Sequence, residues 1–137
     1  MTEKERLKEK EQYTFEDLKS IMRILRSEEG CPWDRKQTHE SLIPCLKEEA
    51  GEVIEAIEKQ DMENLCEELG DLLFQVMSHS RIAEENGCFS IDDVVHQISA
   101  KMVRRHPNVF GDVKVESAEE GLALWKRIKS QEKSEKS

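Results

Sequence analysis

Apolar side chains recur every three to four positions along most of the chain, which is the period of an amphipathic α-helix. No segment shows the strict alternation that is typical of a β-strand. The sequence therefore predicts an all-α fold, a helical bundle of about five helices. The predicted helices run from Thr14 to about Gly30, Thr38 to about Lys59, about Met62 to Glu85, Ser90 to about Pro107, and Ser117 to about residue 130.

The ends of the chain lack this pattern. Residues 1–13 are highly charged without a clear apolar face, so we expect a charged N-terminal arm before a folded domain at 14–130. The repetitive polar composition of residues 131–137 predicts a disordered tail. Pro32 and the absence of periodicity predict a non-helical loop at residues 31–37. Trp33 in this loop either covers the core or offers an aromatic surface to a base or ribose.

The third helix has an unusually wide apolar surface. Cys66, Phe74 and Met77 extend its apolar arc beyond half of the helix circumference. A helix with such an arc is buried on more than one side. In a chain of 137 residues, 36% of them hydrophobic, this width predicts a subunit interface.

The negative charge of the chain is concentrated in one segment. Residues 48–71 contain ten acidic residues and one basic residue, so the charge of this segment equals the net charge of the whole chain, −9. Acidic and basic residues are balanced elsewhere. The segment therefore needs a local explanation.

The acidic segment repeats one motif on two helices. On the second helix, Glu49 borders the apolar face and lies about 60° from Glu52, which is on the opposite side. On the third helix, Glu68 and Asp71 are again about 60° apart and border the apolar face. If the turn near Gln60 folds the helices antiparallel, the four carboxylates converge. Burying them without partners would cost several kcal/mol each, whereas Mg²⁺ or Mn²⁺ suits oxygen-only ligands. A solvated acidic surface is the alternative interpretation.

A basic cluster ends the fourth helix. Lys101, Arg104 and Arg105 lie in its last turns, where cations complement the helix dipole. Lys101 and Arg105 are four residues apart and share a face, which would also suit a polyphosphate. From its helical position alone, Trp125 is expected in the core.

Composition argues against nucleic acid and membrane as partners of this protein. The acidic balance argues against general nucleic-acid binding. The sequence contains no apolar run of about 18 residues that could cross a membrane and no signal peptide at its N-terminus. A cytoplasmic location is therefore expected. The four cysteines form no CxxC motif, so a zinc site is not expected, and reduced thiols are predicted.

Several motifs together resemble a known family, the MazG family of nucleoside triphosphate pyrophosphohydrolases, within the all-α NTP pyrophosphatase group. The matching segments are GCPWDRKQTHESL at 30–42, EEAGEVIEAI at 48–57, EELGDLLFQV at 67–76, RRHPNVFG at 104–111 and WKRIK at 125–129. The resemblance implies a dimerising helical bundle that uses Mg²⁺, with Mn²⁺ as a substitute. The implied reaction converts an NTP and water to an NMP and pyrophosphate. The chain departs from the pattern in having one domain, where many members have two, and in Gly51.

The resemblance also implies roles for individual residues. Metal ligands map onto Glu49, Glu52, Glu68 and Asp71. Substrate-binding residues map onto six other positions, Trp33, Glu48, Lys101, Arg104, Arg105 and Trp125. In the implied mechanism, Glu48 or Glu52 accepts a proton from the attacking water, and Lys101 and Arg105 neutralise the leaving pyrophosphate.

Two other classes of protein are alternatives, an acidic interaction protein and a di-iron bundle. An acidic helical interaction protein without catalysis would show no dependence on divalent ions. A carboxylate-bridged di-iron bundle requires Glu-x-x-His, and none of the four histidines follows a glutamate at that spacing. The sequence leaves open the base and sugar preference, a role against non-canonical nucleotides, and whether the protein is a homodimer or a dimer of dimers.

Overall fold

The computed structural model describes residues 1–136, and its secondary structure over that range consists of helices without a β-strand. It contains eight helices there, not five: α1 (Glu3–Glu9), α2 (Phe15–Leu25), α3 (Pro32–Lys36), α4 (Ile43–Glu58), α5 (Met62–Glu85), α6 (Ile91–Arg105), α7 (Pro107–Phe110) and α8 (Ala118–Lys136). The chain forms two compact units, Met1–Ile91 and Asp92–Ser137. No helix in the described residues is long and apolar enough to span a membrane.

Two of the additional helices begin at prolines. Pro32 and Pro107 occupy the first positions of α3 and α7, where a missing backbone N–H removes no hydrogen bond and the fixed φ favours a helix. The prediction that residues 31–37 are non-helical is therefore wrong for Pro32–Lys36. Proline also sets the start of α4, because Pro44 is tolerated only in its first turn. This helix consequently begins at Ile43 and not at Thr38.

The N-terminal segment is part of the first unit and not a separate arm. A capping box between Thr2 and Glu5 begins α1, and Leu7 is buried. Arg6 and Lys10 form ion pairs with Asp17 on α2. Asp17 is only 4% exposed, and the hydrogen bond from Lys10 is the main cause that holds its pKa well below the ordinary range.

Helices α4 and α5 form an antiparallel hairpin. They contact each other along their lengths, and the connecting turn is closed by hydrogen bonds from the Gln60 N–H to the Ile57 carbonyl and from the Asp61 N–H to the Ala56 carbonyl. This pattern is a Schellman motif. Gln60 has a φ of 56°, in the left-handed region that such a motif requires. Asp61 then caps α5 by accepting a hydrogen bond from the Asn64 N–H.

The core of the first unit lies between α2 and this hairpin. Its buried apolar side chains include Met22 on α2, Val53 and Ala56 on α4, and Met77 and Ile82 on α5. The guanidinium of Arg26, at the end of α2, bonds both carboxylate oxygens of Glu85 at 3.0 Å. These contacts fix α2 against the hairpin that carries the acidic segment.

In the second unit, the last helix is longer than expected. Helix α8 continues to Lys136, so residues 131–136, predicted to be disordered, are helical. Glu132 explains this extension, because its carboxylate accepts hydrogen bonds from Arg104 and Arg105 on α6. Ser137 lies outside the described residues.

Candidate functional site

The hairpin brings together the four carboxylates of the repeated motif. Glu49 and Glu52 on α4 lie opposite Asp71 and Glu68 on α5, since the turn at Gln60 is equidistant from both pairs in sequence. One carboxylate oxygen from each of the four residues lies within 4.8 Å of the others. Opposite ligands of a Mg²⁺ ion are about 4.2 Å apart, so a small inward movement of the side chains would suit this cation.

Two oxygens of the cluster are buried without partners. Glu49 Oε2 and Glu68 Oε2 have essentially no exposed surface and no hydrogen-bond partner. A buried acceptor without a partner is strongly unfavourable, and repulsion among four acids adds to this. Both features fit a cation-binding site, because an ion supplies the missing partner and the opposite charge.

The acids raise one another's pKa. A hydrogen bond with Glu52, followed by burial and the charges of Glu52, Asp71 and Glu49, raises the pKa of Glu68 to about 7. Burial, followed by the charges of Glu52 and Asp71, raises the pKa of Glu49. A proton on this cluster therefore competes with a cation near neutral pH.

Glu48 lies beside the cluster and does not belong to it. Its side chain is exposed, and its charge is the smallest of the contributions that raise the pKa of Glu49. Of the two acids predicted to act as the general base, only Glu52 lies within the group of four.

A cavity of about 190 Å³ adjoins the cluster within the first unit. Glu49 forms part of its wall, and Trp33 of α3 is 57% exposed beside it. More than half of the Trp33 side chain is therefore open to solvent. The other lining residues are Met22, Arg26, Asp34, Gln37, Leu42, Cys45, Phe74, Gln75 and Ser78.

Arg26 holds the outer wall of this cavity in place. Its Nη1 donates to the carbonyl oxygens of Asp34 at 2.6 Å and Gln37 at 3.1 Å. The side chain is 8% exposed, and the sequence pattern did not single it out. From the sequence alone, an arginine at the C-terminal end of a helix is explained by its favourable interaction with the helix dipole. Only the tertiary structure shows that Arg26 binds the backbone of Asp34 and Gln37.

The predicted basic residues are together in the second unit, where two of them already have an acidic partner. Arg105 donates to Glu132 through Nε at 3.1 Å and Nη2 at 2.8 Å, and Arg104 bonds the other oxygen of Glu132. The Arg105 guanidinium also lies 5.0 Å from the centre of the Trp125 ring. The two arginines hold the pKa of Glu132 down to about 2. The role of Glu132 could not be recognised from the sequence, because the composition of residues 131–137 predicts a disordered tail.

Comparison with known proteins agrees with the motif assignments. Residues 37–110 match the family model of the MazG nucleotide pyrophosphohydrolase domain. Over 89% of its length, the chain is 53% identical to the nucleoside triphosphate pyrophosphohydrolase/pyrophosphatase MazG of Thermotoga maritima, covering 46% of that protein. It is 46% identical to the nucleoside triphosphate pyrophosphohydrolase of Escherichia coli K12, over 87% of the chain and 46% of that protein.

Other similar proteins extend the comparison. The chain is 52% identical to the uncharacterized protein YabN of Bacillus subtilis over 88% of its length and 25% of that protein. It thus spans between a quarter and about half of the length of these relatives. A crystal structure of a MazG-related protein from Thermotoga maritima has a TM-score of 0.66 and 32% identity, covering 92% of this chain and 98% of that one. The chain therefore belongs to the MazG nucleotide pyrophosphohydrolase domain family.

Proposed function

We propose that this protein is a Mg²⁺-dependent nucleoside triphosphate pyrophosphohydrolase, which converts an NTP and water to an NMP and pyrophosphate. The observation that carries the proposal is the cluster of Glu49, Glu52, Glu68 and Asp71, with one oxygen of each within 4.8 Å of the others. The names of the T. maritima and E. coli relatives support the same reaction.

The four carboxylates are the proposed ligands of the cation. Their oxygen-only donor set suits Mg²⁺, with Mn²⁺ as a substitute, and the unpartnered oxygens of Glu49 and Glu68 fit an ion at this position. When bound, Mg²⁺ would reverse the local charge, attract the triphosphate and polarise it for attack.

The protein's own acids supply the proton acceptor. Glu52 or Glu48 accepts a proton from the water that attacks the α-phosphorus. Glu52 lies within the cluster, whereas Glu48 is exposed beside it and is free to contact a bound substrate.

The basic residues of α6 bind the polyphosphate in this proposal. Lys101 and Arg105 neutralise charge that develops on the leaving pyrophosphate, and Arg104 is a further substrate-binding residue. Trp125 supports Arg105 through the contact between its ring and the guanidinium.

The cavity beside Glu49 binds the nucleoside. Trp33 provides an exposed aromatic surface on which a base or ribose can stack. The cavity lies next to the proposed cation site, since Glu49 belongs to both.

We also propose that the protein acts as a homodimer. Leu69, Leu73 and Val76 lie on one face of α5 and are 39–48% exposed, and a contiguous exposed apolar surface of this kind is typical of an interface. A Leu73→Glu variant should be monomeric in sedimentation analysis where the wild type is dimeric or a dimer of dimers. An unchanged assembly state would reject this face as the interface.

The alternative from another class is an acidic interaction protein without catalysis. The experiment that separates the two incubates the protein with canonical and modified NTPs, with Mg²⁺ or with EDTA, and resolves products by ion exchange. NMP and pyrophosphate formed only with Mg²⁺ would support the proposal, and the ranking of modified NTPs would test a role against non-canonical nucleotides. NDP and phosphate would mean cleavage of the wrong bond, and no turnover would favour the interaction protein.

A further inference from the structure

One buried polar group in the nucleoside cavity has no explanation in the folded chain. Gln75 on α5 is 7% exposed, and its Oε1 has neither exposed surface nor a hydrogen-bond partner. The nearest hydroxyl along the helix, that of Ser78, donates instead to the Phe74 carbonyl at 2.8 Å. Native proteins rarely leave a buried acceptor unpaired, so a partner from outside the chain is indicated.

The cavity that Gln75 lines has the size and composition for a base. Its volume of about 190 Å³ is below the roughly 300 Å³ at which pockets for whole drug-sized ligands begin, so it suits one ring system and not an entire nucleotide. Trp33 and Phe74 contribute aromatic surface to its wall, and Glu49 connects it to the carboxylate cluster.

The other polar groups of the wall are less suited to reading a base. The carbonyl oxygens of Asp34 and Gln37 already accept hydrogen bonds from Arg26, and the Gln37 amide donates to the Trp33 carbonyl at 2.9 Å. Two polar side chains of the wall remain, the half-buried Asp34 carboxylate and the buried Gln75 amide. An ionised carboxylate offers acceptors only. A carboxamide presents an acceptor beside a donor, which matches the edge of a nucleobase in a bidentate arrangement.

We propose that Gln75 is a specificity-determining residue whose Oε1 accepts a hydrogen bond from an N–H on the edge of the substrate's base. The proposal rests on the proposed function, because it assigns the cavity to the nucleoside of an NTP. It predicts that a base with an N–H donor at this edge is bound more tightly than the same base without it.

The test begins with Gln75→Met, which keeps the length of the side chain and removes the acceptor. Loss of one neutral hydrogen bond raises KM for the preferred NTP by about 2- to 10-fold with little change in kcat. The ligand-free variant melts at the same or a higher temperature, since an unpaired buried acceptor is removed. Gln97→Met is the matched control, because Gln97 is exposed on α6 and outside the cavity.

A comparison of paired substrates tests the proposal with the wild-type protein, so this part of the test does not depend on the folding of a variant. ATP is compared with purine riboside triphosphate, CTP with 2-pyrimidinone riboside triphosphate, and UTP with 3-methyluridine triphosphate, and the pair that contains the preferred substrate decides. Removing the donor lowers kcat/KM of the wild type by about 2- to 10-fold and has little effect on Gln75→Met.

The possible failures are distinguishable. If the wild type hydrolyses no NTP, the proposed function is wrong and the inference falls with it. If the wild type hydrolyses NTPs but does not distinguish the members of the deciding pair, Gln75 does not read the base. A lowered melting temperature with an unchanged KM for Gln75→Met would also overturn the proposal, because it would show that Gln75 binds only an internal water.

Discussion

Replacing one carboxylate of the cluster should have opposite effects with and without metal. Glu68→Gln removes one of four mutually repelling acids and a carboxylate oxygen that is buried without a partner. In the absence of divalent cations, the variant should therefore be as stable as the wild type or more stable. The same change removes a proposed metal ligand, so stabilisation by Mg²⁺ should be reduced or lost.

The expected size of the metal effect follows from linkage. A ligand that binds only the folded state at 100 times its Kd stabilises that state by about 2.7 kcal/mol. For a chain of this length, about 1 kcal/mol shifts Tm by roughly 3–4 °C, so saturating Mg²⁺ should raise the Tm of the wild type by roughly 10 °C. Glu68→Gln should lose most of this shift.

The assay is differential scanning fluorimetry in EDTA and over a Mg²⁺ titration. Glu63→Gln is the matched control, because Glu63 is an exposed acid on the same helix and lies outside the cluster. The control should keep the full shift. Equal Mg²⁺ responses from Glu68→Gln and Glu63→Gln would refute the reasoning, as would a metal-free Glu68→Gln protein that is markedly less stable than the wild type.

Four further predictions follow from particular residues. Because the folded pKa of Glu68, about 7, exceeds its ordinary value of 4.5, its stabilising contribution to the metal-free protein is fully present below about pH 4.5 and is lost as pH rises through about 7. Tm measured against pH should show this decline, and Glu68→Gln, whose amide cannot ionise, should lack this part of the decline. Gly51→Ala should raise the free energy of unfolding by about 0.5–1 kcal/mol in urea titrations, since a Cβ there meets nothing within 4 Å; no gain would mean that the position is constrained by another molecule. Gln60→Gly should raise stability by up to about 1 kcal/mol, because its φ of 56° favours glycine, and a loss would show that the Gln60 side chain contributes. Trp33→Ala should raise KM for the preferred NTP by roughly 5- to 150-fold, because base stacking contributes about 1–3 kcal/mol; an unchanged KM would remove Trp33 from the nucleoside site.

The sequence predicted the carboxylate cluster because the cluster depends on local, periodic features. Two helices with acids at the same phase, joined by a short turn near Gln60, leave little freedom in how the acids meet. The all-α class was confirmed for the same reason, since helical periodicity is a short-range signal.

The errors arose where a long-range contact or a proline determined the structure. Periodicity could not show that Pro32 and Pro107 each begin a short helix. Composition suggested a disordered tail, but Glu132 binds Arg104 and Arg105, 28 and 27 residues earlier in the chain. A contact between residues so far apart in the chain produces no periodic pattern in the sequence.

The helical pattern of α5 indicates that Gln75 is unusual but does not explain why a polar residue is there. Gln75 is a polar residue at a position on the apolar face of α5. It lies one turn after Leu72 and two turns before Ile82, and Ile82 is buried. That position could have identified it as unusual. Only the structure shows that its Oε1 is unpartnered beside a cavity.

The central claim is that the carboxylate cluster carries metal-dependent hydrolysis of NTPs at the α-phosphorus. The most direct measurement is the rate of NMP and pyrophosphate formation by folded Glu49→Gln, Glu68→Gln and Asp71→Asn variants, beside Glu63→Gln and the wild type, at saturating Mg²⁺. The account predicts that the three cluster variants lose at least about 100-fold in kcat/KM, about 2.7 kcal/mol of transition-state stabilisation, and that Glu63→Gln keeps the wild-type rate. Full Mg²⁺-dependent turnover by the cluster variants would contradict it.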